Sequence, residues 1–213
     1  MNVTSFPGLE RIVELNIDLV TRAVSSITVP SPAYALGLWS EDPELIAPTV
    51  VCIGLDSSRD VMLSGPDRRS GRTQVWNVSD YDLDAILEPD PRTSPEFASL
   101  EPLVWMRLRA AEVVDPTEFV LNRVALRLSM APIDEPRTSD FVAFAFNEDF
   151  GDQLRDNVEF AASKEAIAEL ERRACCQQGS RLLQRTNGHW TTRPARLRRP
   201  SRNRTRTEHA PRP

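Results

Sequence analysis

Six apolar residues follow one another without a polar interruption at Phe141–Phe146. A run of this kind is typical of a strand that is buried on both faces. An acidic turn, Asn147–Asp152, comes next. Apolar residues then recur at helical spacing, namely Leu154, Val158, Ala161, Ala162 and Ala166. The pattern predicts that the fold is organised around Ser139–Leu170, with the strand at the buried centre of the sheet and a helix after it.

Apolar residues at three- and four-residue spacing predict further helices. We expect them at Leu9–Val24, Asp80–Leu87 and Ser99–Val114, and from Asp115 to about Leu128. Asp115-Pro116-Thr117-Glu118 combines a capping residue, a proline at the first helical position and an acid at the third. That combination marks the beginning of a helix. Ser79 is the expected cap of the short helix Asp80–Leu87.

Alternating or β-branched apolar residues predict strands in the first half of the chain. They are Tyr34–Trp39, Thr49–Leu55, Asp60–Ser64 and Thr73–Val78. The loops between them are short enough for hairpins, which favours an antiparallel meander. We therefore predict an α+β fold, with a mainly antiparallel sheet of four to five strands packed against three to four helices.

The charge is divided unevenly along the chain. Residues 172–213 hold twelve arginines and one acid, a net charge of +11, whereas residues 1–171 hold 14 basic and 30 acidic residues, a net charge of −16. Arg, Pro, Thr, Ser and Asn dominate the last segment, and its apolar residues are too sparse to form a core. We predict an acidic α+β domain in residues 1–172 and a disordered basic tail in residues 173–213.

Histidine and cysteine usage excludes several kinds of chemistry. Both histidines, His189 and His209, lie in the tail, so the acidic domain lacks Ser-His-Asp catalysis, Cys-His catalysis and histidine-containing zinc sites. Three cysteines, one of them Cys52 in a predicted strand, do not make a disulfide framework. We expect no catalytic residue, no metal site and no cofactor. Without a signal sequence or an apolar run long enough for a bilayer, we expect a cytoplasmic protein with no membrane partner.

The carboxylates after the central strand allow two interpretations. Glu148, Asp149 and Asp152, with Asp156 one turn further on, could converge on a cation such as Mg²⁺, which prefers oxygen ligands. Acids at the beginning of a helix also complement its dipole and need no ligand. We favour the second interpretation, in which these acids contribute to a negative surface that binds a partner.

Two further groups are candidates for binding. Arg68, Arg69 and Arg72 concentrate positive charge in a predicted loop and could bind an anion. Trp76 and Tyr81 flank a turn that contains Asp80 and could line a recognition pocket for a partner. Each group also has a simpler explanation, as a solvated loop and as aromatic residues of the core.

The order of these features resembles the bacterial domain-of-unknown-function family 4303. The resemblance is carried by the N-terminal helix, the strand Tyr34–Trp39, the turn Trp76–Tyr81, two helices and the passage from Phe141–Phe146 into Asn147-Glu148-Asp149. It covers roughly Leu9–Leu170 and leaves out the basic tail. It implies a small α+β domain without an assigned catalytic residue. The family's association with contact-dependent toxin systems implies an immunity-like role.

These observations lead to one expectation and two alternatives. We expect a non-enzymatic protein that binds a basic toxin, because a strongly acidic domain accelerates its encounter with a basic protein. The first alternative is a metal-dependent hydrolase or phosphotransferase that uses Glu148, Asp149 and Asp152. The second is nucleic-acid binding through the arginine-rich tail, although we favour an unselected extension for that segment. The sequence leaves the oligomeric state open.

Overall fold

The computed structural model describes residues 6–64, 75, 78, 81–87, 90–130, 136–146, 158 and 161–172. These residues contain five α-helices, four strands and one 3-10 turn. In chain order the elements are α1 (Pro7–Ser25), β1 (Ala33–Trp39), β2 (Val50–Leu55), α2 (Asp56–Ser64), β3 (Leu83–Ile86), the 3-10 turn (Pro91–Thr93), α3 (Pro95–Ala110), α4 (Pro116–Met130), β4 (Arg137–Phe146) and α5 (Lys164–Arg172).

The strands form a mixed sheet in the order β3-β2-β1-β4. β1 pairs antiparallel with β2, β2 pairs antiparallel with β3, and β1 pairs parallel with β4. The predicted α+β class is therefore confirmed. The described sheet has four strands but is mixed, so the predicted antiparallel meander is wrong, and the structure describes five helices where three to four were predicted. β4 runs parallel to β1 because the chain returns to the sheet through α3 and α4, and parallel neighbours require such a crossover.

Two predicted elements between β2 and the 3-10 turn are wrong. Asp60–Ser64 belongs to helix α2, and the predicted helix Asp80–Leu87 contains strand β3 instead. Both errors involve Asp82, whose carboxylate accepts hydrogen bonds from the Leu55 backbone N–H at 3.2 Å and from the Ser58 hydroxyl. Asp82 thus stabilises the beginning of α2 across the sheet and does not start a helix of its own. Of the predicted strand Thr73–Val78, the described residues Val75 and Val78 lie outside any strand.

The longer helices are confirmed, and their ends have local causes. Leu9–Val24 lies within α1, and α4 begins at Pro116, where the Asp115 carboxylate accepts a hydrogen bond from the Glu118 backbone N–H at 2.8 Å. α3 begins at Pro95, four residues before the predicted Ser99, because the Ser94 hydroxyl caps it by accepting from the Phe97 N–H. It ends at Ala110, close to Glu112, which has a positive φ of 60°.

The predicted burial of Phe141–Phe146 is confirmed, since every residue of this run in β4 is buried. Its predicted position at the centre of the sheet is wrong, because β4 lies at one end of the described strand order. Helices α4 and α5 pack on β4. The Ser129 hydroxyl of α4 accepts a hydrogen bond from the Ala143 N–H at 2.8 Å and lies 3.2 Å from the Ala143 carbonyl. An end strand can be buried in this way because a helix satisfies its outer backbone groups.

The other helices complete the core. α1 packs against α3 and α4, and α2 contacts β1 and β2. Leu9, Ile12, Val104, Leu108, Val120 and Val124 form part of the helical core and are fully buried. No helix in the described ranges is long and apolar enough to cross a membrane.

Candidate functional site

Most of the residues predicted to bind a partner or an anion lie outside the described residues. These are Arg68, Arg69, Arg72, Trp76, Asp80, Glu148, Asp149 and Asp152. Asp156 and the whole predicted tail, residues 173–213, also lie outside them. Tyr81 is described, and it lies in a network of polar and aromatic side chains at one end of the sheet. The proposed roles of the other residues stay predictions.

Arg59 is the centre of this network and is fully buried in α2. Its Nη1 donates to Asp140 Oδ2 at 2.7 Å and its Nη2 donates to Asp140 Oδ1 at 3.3 Å, which makes a two-pronged ion pair with a fully buried carboxylate. Its Nε donates to Asp56 Oδ1 at 3.1 Å. The guanidinium carbon also lies 4.6 Å from the centre of the Tyr34 ring. We call Tyr34, Asp56, Arg59 and Asp140 the buried ion cluster.

The strand arrangement brings the cluster together. β1 begins where the antiparallel β2 ends, so Tyr34 lies close to the junction of β2 and α2, which carries Asp56. β4 enters the sheet at the same end because it is parallel to β1. Its pairing shifts between Arg137 and Val142, and Asp140 lies within this irregularity. A bulge of this kind changes the direction of a side chain, here towards Arg59.

Opposing effects act on the pKa of Arg59. Burial by itself lowers the pKa of a guanidinium, because it disfavours the charged form. Hydrogen bonds and charge attraction from Asp140, supported by Asp56, outweigh burial and leave the pKa of Arg59 above its usual value. The side chain therefore keeps its positive charge inside the protein. Both partner carboxylates are needed for this balance, since an unpaired buried charge is very costly.

Tyr34 of the buried ion cluster and the neighbouring Tyr81 both contact Val75, which precedes β3. The Val75 carbonyl accepts hydrogen bonds from the Tyr34 hydroxyl at 2.5 Å and from the Tyr81 hydroxyl at 3.2 Å. The two rings meet edge to face, with centroids 5.8 Å apart, and the Tyr81 ring also meets Phe144 at 6.5 Å. Tyr81 therefore connects the buried ion cluster with the apolar centre of β4.

Two glycines make room for this arrangement. A Cβ atom at Gly54 would lie 2.8 Å from the Tyr34 ring, and one at Gly37 would overlap the side chain of Val78. Val75 and Val78 are both buried. The part of the chain that carries Val75, Val78 and Tyr81 is thus seated closely on β1 and β2. Tyr81, which is predicted to flank a recognition turn, is partly buried and packs against the hydrophobic core.

The geometry of the cluster favours a structural role over catalysis. Arg59 is inaccessible to solvent and is held by two carboxylates and an aromatic ring, so an incoming anion cannot reach it in this state. In the part of the chain that the structure describes, no three His, Cys, Asp or Glu side chains come together as ligands for a metal ion. The predicted carboxylates Glu148, Asp149 and Asp152 fall outside that part and stay untested as ligands.

A second group of charged residues lies on the surface around the loop between β1 and β2. Arg92 donates from Nη1 to Asp42 at 2.9 Å and from Nε to Glu101 at 2.8 Å, and it also donates from Nη2 to the Glu44 carbonyl at 3.2 Å. Asp90 accepts a hydrogen bond from the Arg92 backbone N–H at 2.8 Å. These contacts tie the loop to the beginning of α3. We call Glu41, Asp42, Glu44 and Asp90 the acidic loop surface.

The acidic loop surface carries more negative charge than its own arginine can balance. Hydrogen bonds from Arg92 to Glu101 and then to Asp42 raise the pKa of the Arg92 guanidinium. Arg92 therefore stays positively charged, and its charge is already paired with these two carboxylates. Glu41, Glu44 and Asp90 are exposed. None of these three carboxylates forms an ion pair with another described residue. The loop is also anchored on its other side, where the Thr117 hydroxyl donates to the Pro43 carbonyl at 2.9 Å.

Neither group of residues can be identified from the sequence alone. Arg59 and Asp140 are 81 positions apart in the chain, so their pairing is not visible there. The available signal was an isolated acid directly before a fully apolar strand, a position where a charge needs a partner. The acids of Ser40–Glu44 stand together in the sequence, but nothing there marks them as a surface, since their connection to Arg92 spans 50 positions.

We predict that the hydroxyl of Tyr81 ionises well above pH 10. Burial above all, and then the neighbouring Tyr34, raise the pKa of this phenol. Because the folded state disfavours the tyrosinate, the protein should lose stability as the pH rises above about 10, the usual value. The chain contains two tyrosines, so in the Tyr34→Phe variant the absorbance of tyrosinate reports on Tyr81 alone.

The circular dichroism of the same sample provides the control for folding. We expect the absorbance change of the Tyr34→Phe variant to coincide with loss of the folded signal at high pH. A phenol that ionises near pH 10 in a protein that is still folded would contradict the shielding of the Tyr81 hydroxyl from water.

Comparisons with known proteins leave the family of this chain open. A scan against protein-family models finds no matching family, and searches of curated proteins and of solved structures find no similar protein.

Proposed function

We propose that this chain is a non-enzymatic, cytoplasmic binding protein of the immunity type, and that it masks a basic toxin. The observation that carries the proposal is the acidic loop surface. Three exposed carboxylates, Glu41, Glu44 and Asp90, stand around an arginine that Asp42 and Glu101 already engage. A partner that brings arginine or lysine side chains would complete this surface.

General electrostatics supports a basic partner. Residues 1–171 carry a net charge of −16, which raises the rate of encounter with a positively charged protein and orients it before contact. Toxins that cleave nucleic acids are commonly basic, because they bind phosphate groups. The resemblance to family 4303 points to the same role. Trp76, Asp80, Glu148, Asp149 and Asp152 are proposed as further partner contacts outside the described residues.

The rigidity of the loop adds to this proposal. The loop is fastened by Arg92 on one side and by Thr117 on the other, so its backbone and the Asp42 carboxylate are held in place before a partner arrives. A surface that is already ordered loses less conformational entropy on binding. The buried ion cluster, at the other end of β1 and β2, keeps the sheet together without taking part in binding.

We predict that a Glu41→Gln, Glu44→Gln, Asp90→Asn triple variant binds the basic partner roughly 10- to 100-fold more weakly than the natural chain, because each exposed charge contributes up to about 1 kcal/mol. The amides keep the size of the side chains, and the amide at position 90 keeps an oxygen that can accept from the Arg92 N–H. The full chain is immobilised and used to capture proteins from its host cell at low salt. The captured protein is then purified, and its affinity is measured by calorimetry.

A matched control distinguishes the effect of the acidic loop surface on binding from the effect of net charge. The Asp18→Asn, Asp60→Asn, Glu165→Gln variant removes three exposed carboxylates from α1, α2 and α5, and thus the same total charge. We expect it to bind almost as tightly as the natural chain. Equal weakening by both variants would reject the acidic loop surface as the contact. Capture of no basic protein by the natural chain would reject the proposed function itself.

A further inference from the structure

Helix α3 is apolar on two opposite sides. Phe97, Val104 and Leu108 face the core and are buried. On the other side, Leu103 is 52 % exposed and Met106 is 61 % exposed. Their neighbours on that side, Ser99, Pro102 and Ala110, are also exposed and carry no charge. We call Ser99, Pro102, Leu103, Met106 and Ala110 the α3 stripe.

A stripe of this kind is unusual for a helix at the surface. The outer side of such a helix normally carries charged residues, and a helix that is apolar on both sides is normally covered on both. Single exposed apolar residues are common and need no explanation, but a row of them along one helix indicates a contact surface. The exposed charged residues of α3 lie beside the stripe, with Glu96 near the beginning of the helix and Arg107 and Arg109 near its end.

We propose that the α3 stripe binds the α3 stripe of a second copy of this chain, with the two helices antiparallel around a two-fold axis. The axis would pass through the middle of α3, between Pro102 and Leu103. Residues at equal distances from this midpoint then lie opposite one another. Ser99 faces Met106, Pro102 faces Leu103, and Pro95 faces Ala110. Smaller side chains therefore face larger ones along the stripe, and the stripe is complementary to itself.

The charges beside the stripe fit the same arrangement. Glu96 and Arg107 are eleven residues apart, which is about three helical turns, so they lie on the same side of the stripe. A two-fold axis perpendicular to the helices places this side of one copy next to the same side of the other copy. It places Glu96 of one copy within two residues, or about 3 Å along the helix, of Arg107 of the other. The antiparallel direction also opposes the two helix dipoles, whereas a parallel pair would bring like charges together.

The contact should be weak and reversible. A single pair of helices covers less surface than a standard interface of about 800 Å² per partner. Glu96 already accepts two hydrogen bonds from Arg11 of its own chain, at 2.6 and 2.9 Å, and would share its charge with Arg107 of the second copy. The stripe does not include Glu41, Glu44 or Asp90, so this inference does not rest on the proposed function.

Sedimentation velocity of the full chain at increasing concentrations tests the proposal. We expect the natural chain to pass from monomer to dimer, and the Leu103→Glu, Met106→Glu variant to stay a monomer at every concentration. Val61→Glu is the matched control, because Val61 is 73 % exposed on α2 and lies outside the stripe. It should dimerise like the natural chain.

Charge exchange tests the antiparallel orientation. Arg107→Glu should weaken the dimer, and adding Glu96→Arg to it should restore the dimer. Leu103→Cys should form a disulfide with its own counterpart across the two-fold axis, in a chain that also carries Cys175→Ser and Cys176→Ser. Val61→Cys in the same background should not. The circular dichroism of each variant establishes that it is folded.

Two results would overturn the proposal. The first is a natural chain that is monomeric at all concentrations, and the second is a dimer that survives Leu103→Glu, Met106→Glu. If the natural chain is monomeric and the Leu103→Glu, Met106→Glu variant also loses the basic partner, the α3 stripe binds that partner and not a second copy.

Discussion

Replacing Asp140 with alanine is expected to lower the free energy of unfolding by about 3–5 kcal/mol, the usual cost of leaving a buried charge without its partner. Asp140 and Arg59 are both fully buried, and the two side chains form a two-pronged ion pair. After the replacement, Arg59 would keep only Asp56, whose side chain is 26 % exposed. The loss is measured by urea unfolding, followed by circular dichroism.

Two control variants identify the cause of the loss. Arg127→Ala removes an exposed ion pair with Glu10 on the helical surface, and we expect it to cost no more than about 1 kcal/mol. The double variant Arg59→Met, Asp140→Leu removes both buried charges and should be more stable than Asp140→Ala alone. If the double variant were the less stable of the two, an unpaired charge would not explain the loss.

The helices show what could be predicted from the sequence. The periodicity of apolar residues in Leu9–Val24 and the Asp115-Pro116 signal are local, and α1 and α4 follow them closely. The burial of Phe141–Phe146 was also predictable, because an unbroken apolar run has no polar side to turn towards water. The position of this strand at the end of the described sheet could not be predicted, because it depends on how α4 and Ser129 cover the outer edge of β4.

The errors arose where a distant contact overrides a local preference. The polar segment Asp56–Ser64 has little helical pattern, and α2 forms there because Arg59 is drawn into the core by Asp140 and because Asp82 stabilises its first turn. The predicted strand Asp60–Ser64 lies in this segment and is therefore absent from the sheet. The same Asp82 lies in the predicted helix Asp80–Leu87, where strand β3 forms instead. The sequence marks Asp140 as a charge that needs a partner, but it does not identify Arg59, 81 positions away, as that partner.

The candidate sites divide in a similar way. The excess of acidic residues could be counted in the sequence, and the turn Ser40–Glu44 was visible as acidic. That the turn becomes a fixed surface depends on Arg92, which reaches back 50 positions to Asp42. Tyr81 is a candidate recognition residue in the sequence because it flanks a turn, although an aromatic residue of the core is the simpler explanation. The structure places its ring between Tyr34 and Phe144.

Phe144→Ala is expected to destabilise the protein by about 3–5 kcal/mol, the usual cost of truncating a fully buried phenylalanine. Phe144 pairs with Gly37 across β1 and β4, and its ring lies 3.8 Å from the position of a Cβ at Gly37. Strand pairing and the overlying α4 prevent the space from collapsing, so a cavity should remain. Urea unfolding measures the loss, and Met130→Ala, at a residue that is 74 % exposed, should change stability by no more than about 0.5 kcal/mol.

The same variant should also change the titration of Tyr81. The Phe144 ring meets the edge of Tyr81, and its removal lets water approach the phenol. Burial is the main cause of the raised pKa of Tyr81, so that pKa should fall towards its usual value in the Phe144→Ala, Tyr34→Phe variant when compared with Tyr34→Phe alone. A loss of stability without a change in the Tyr81 titration would show that β4 packs on the core without supporting the aromatic cluster, and that the two parts of the sheet are stabilised independently.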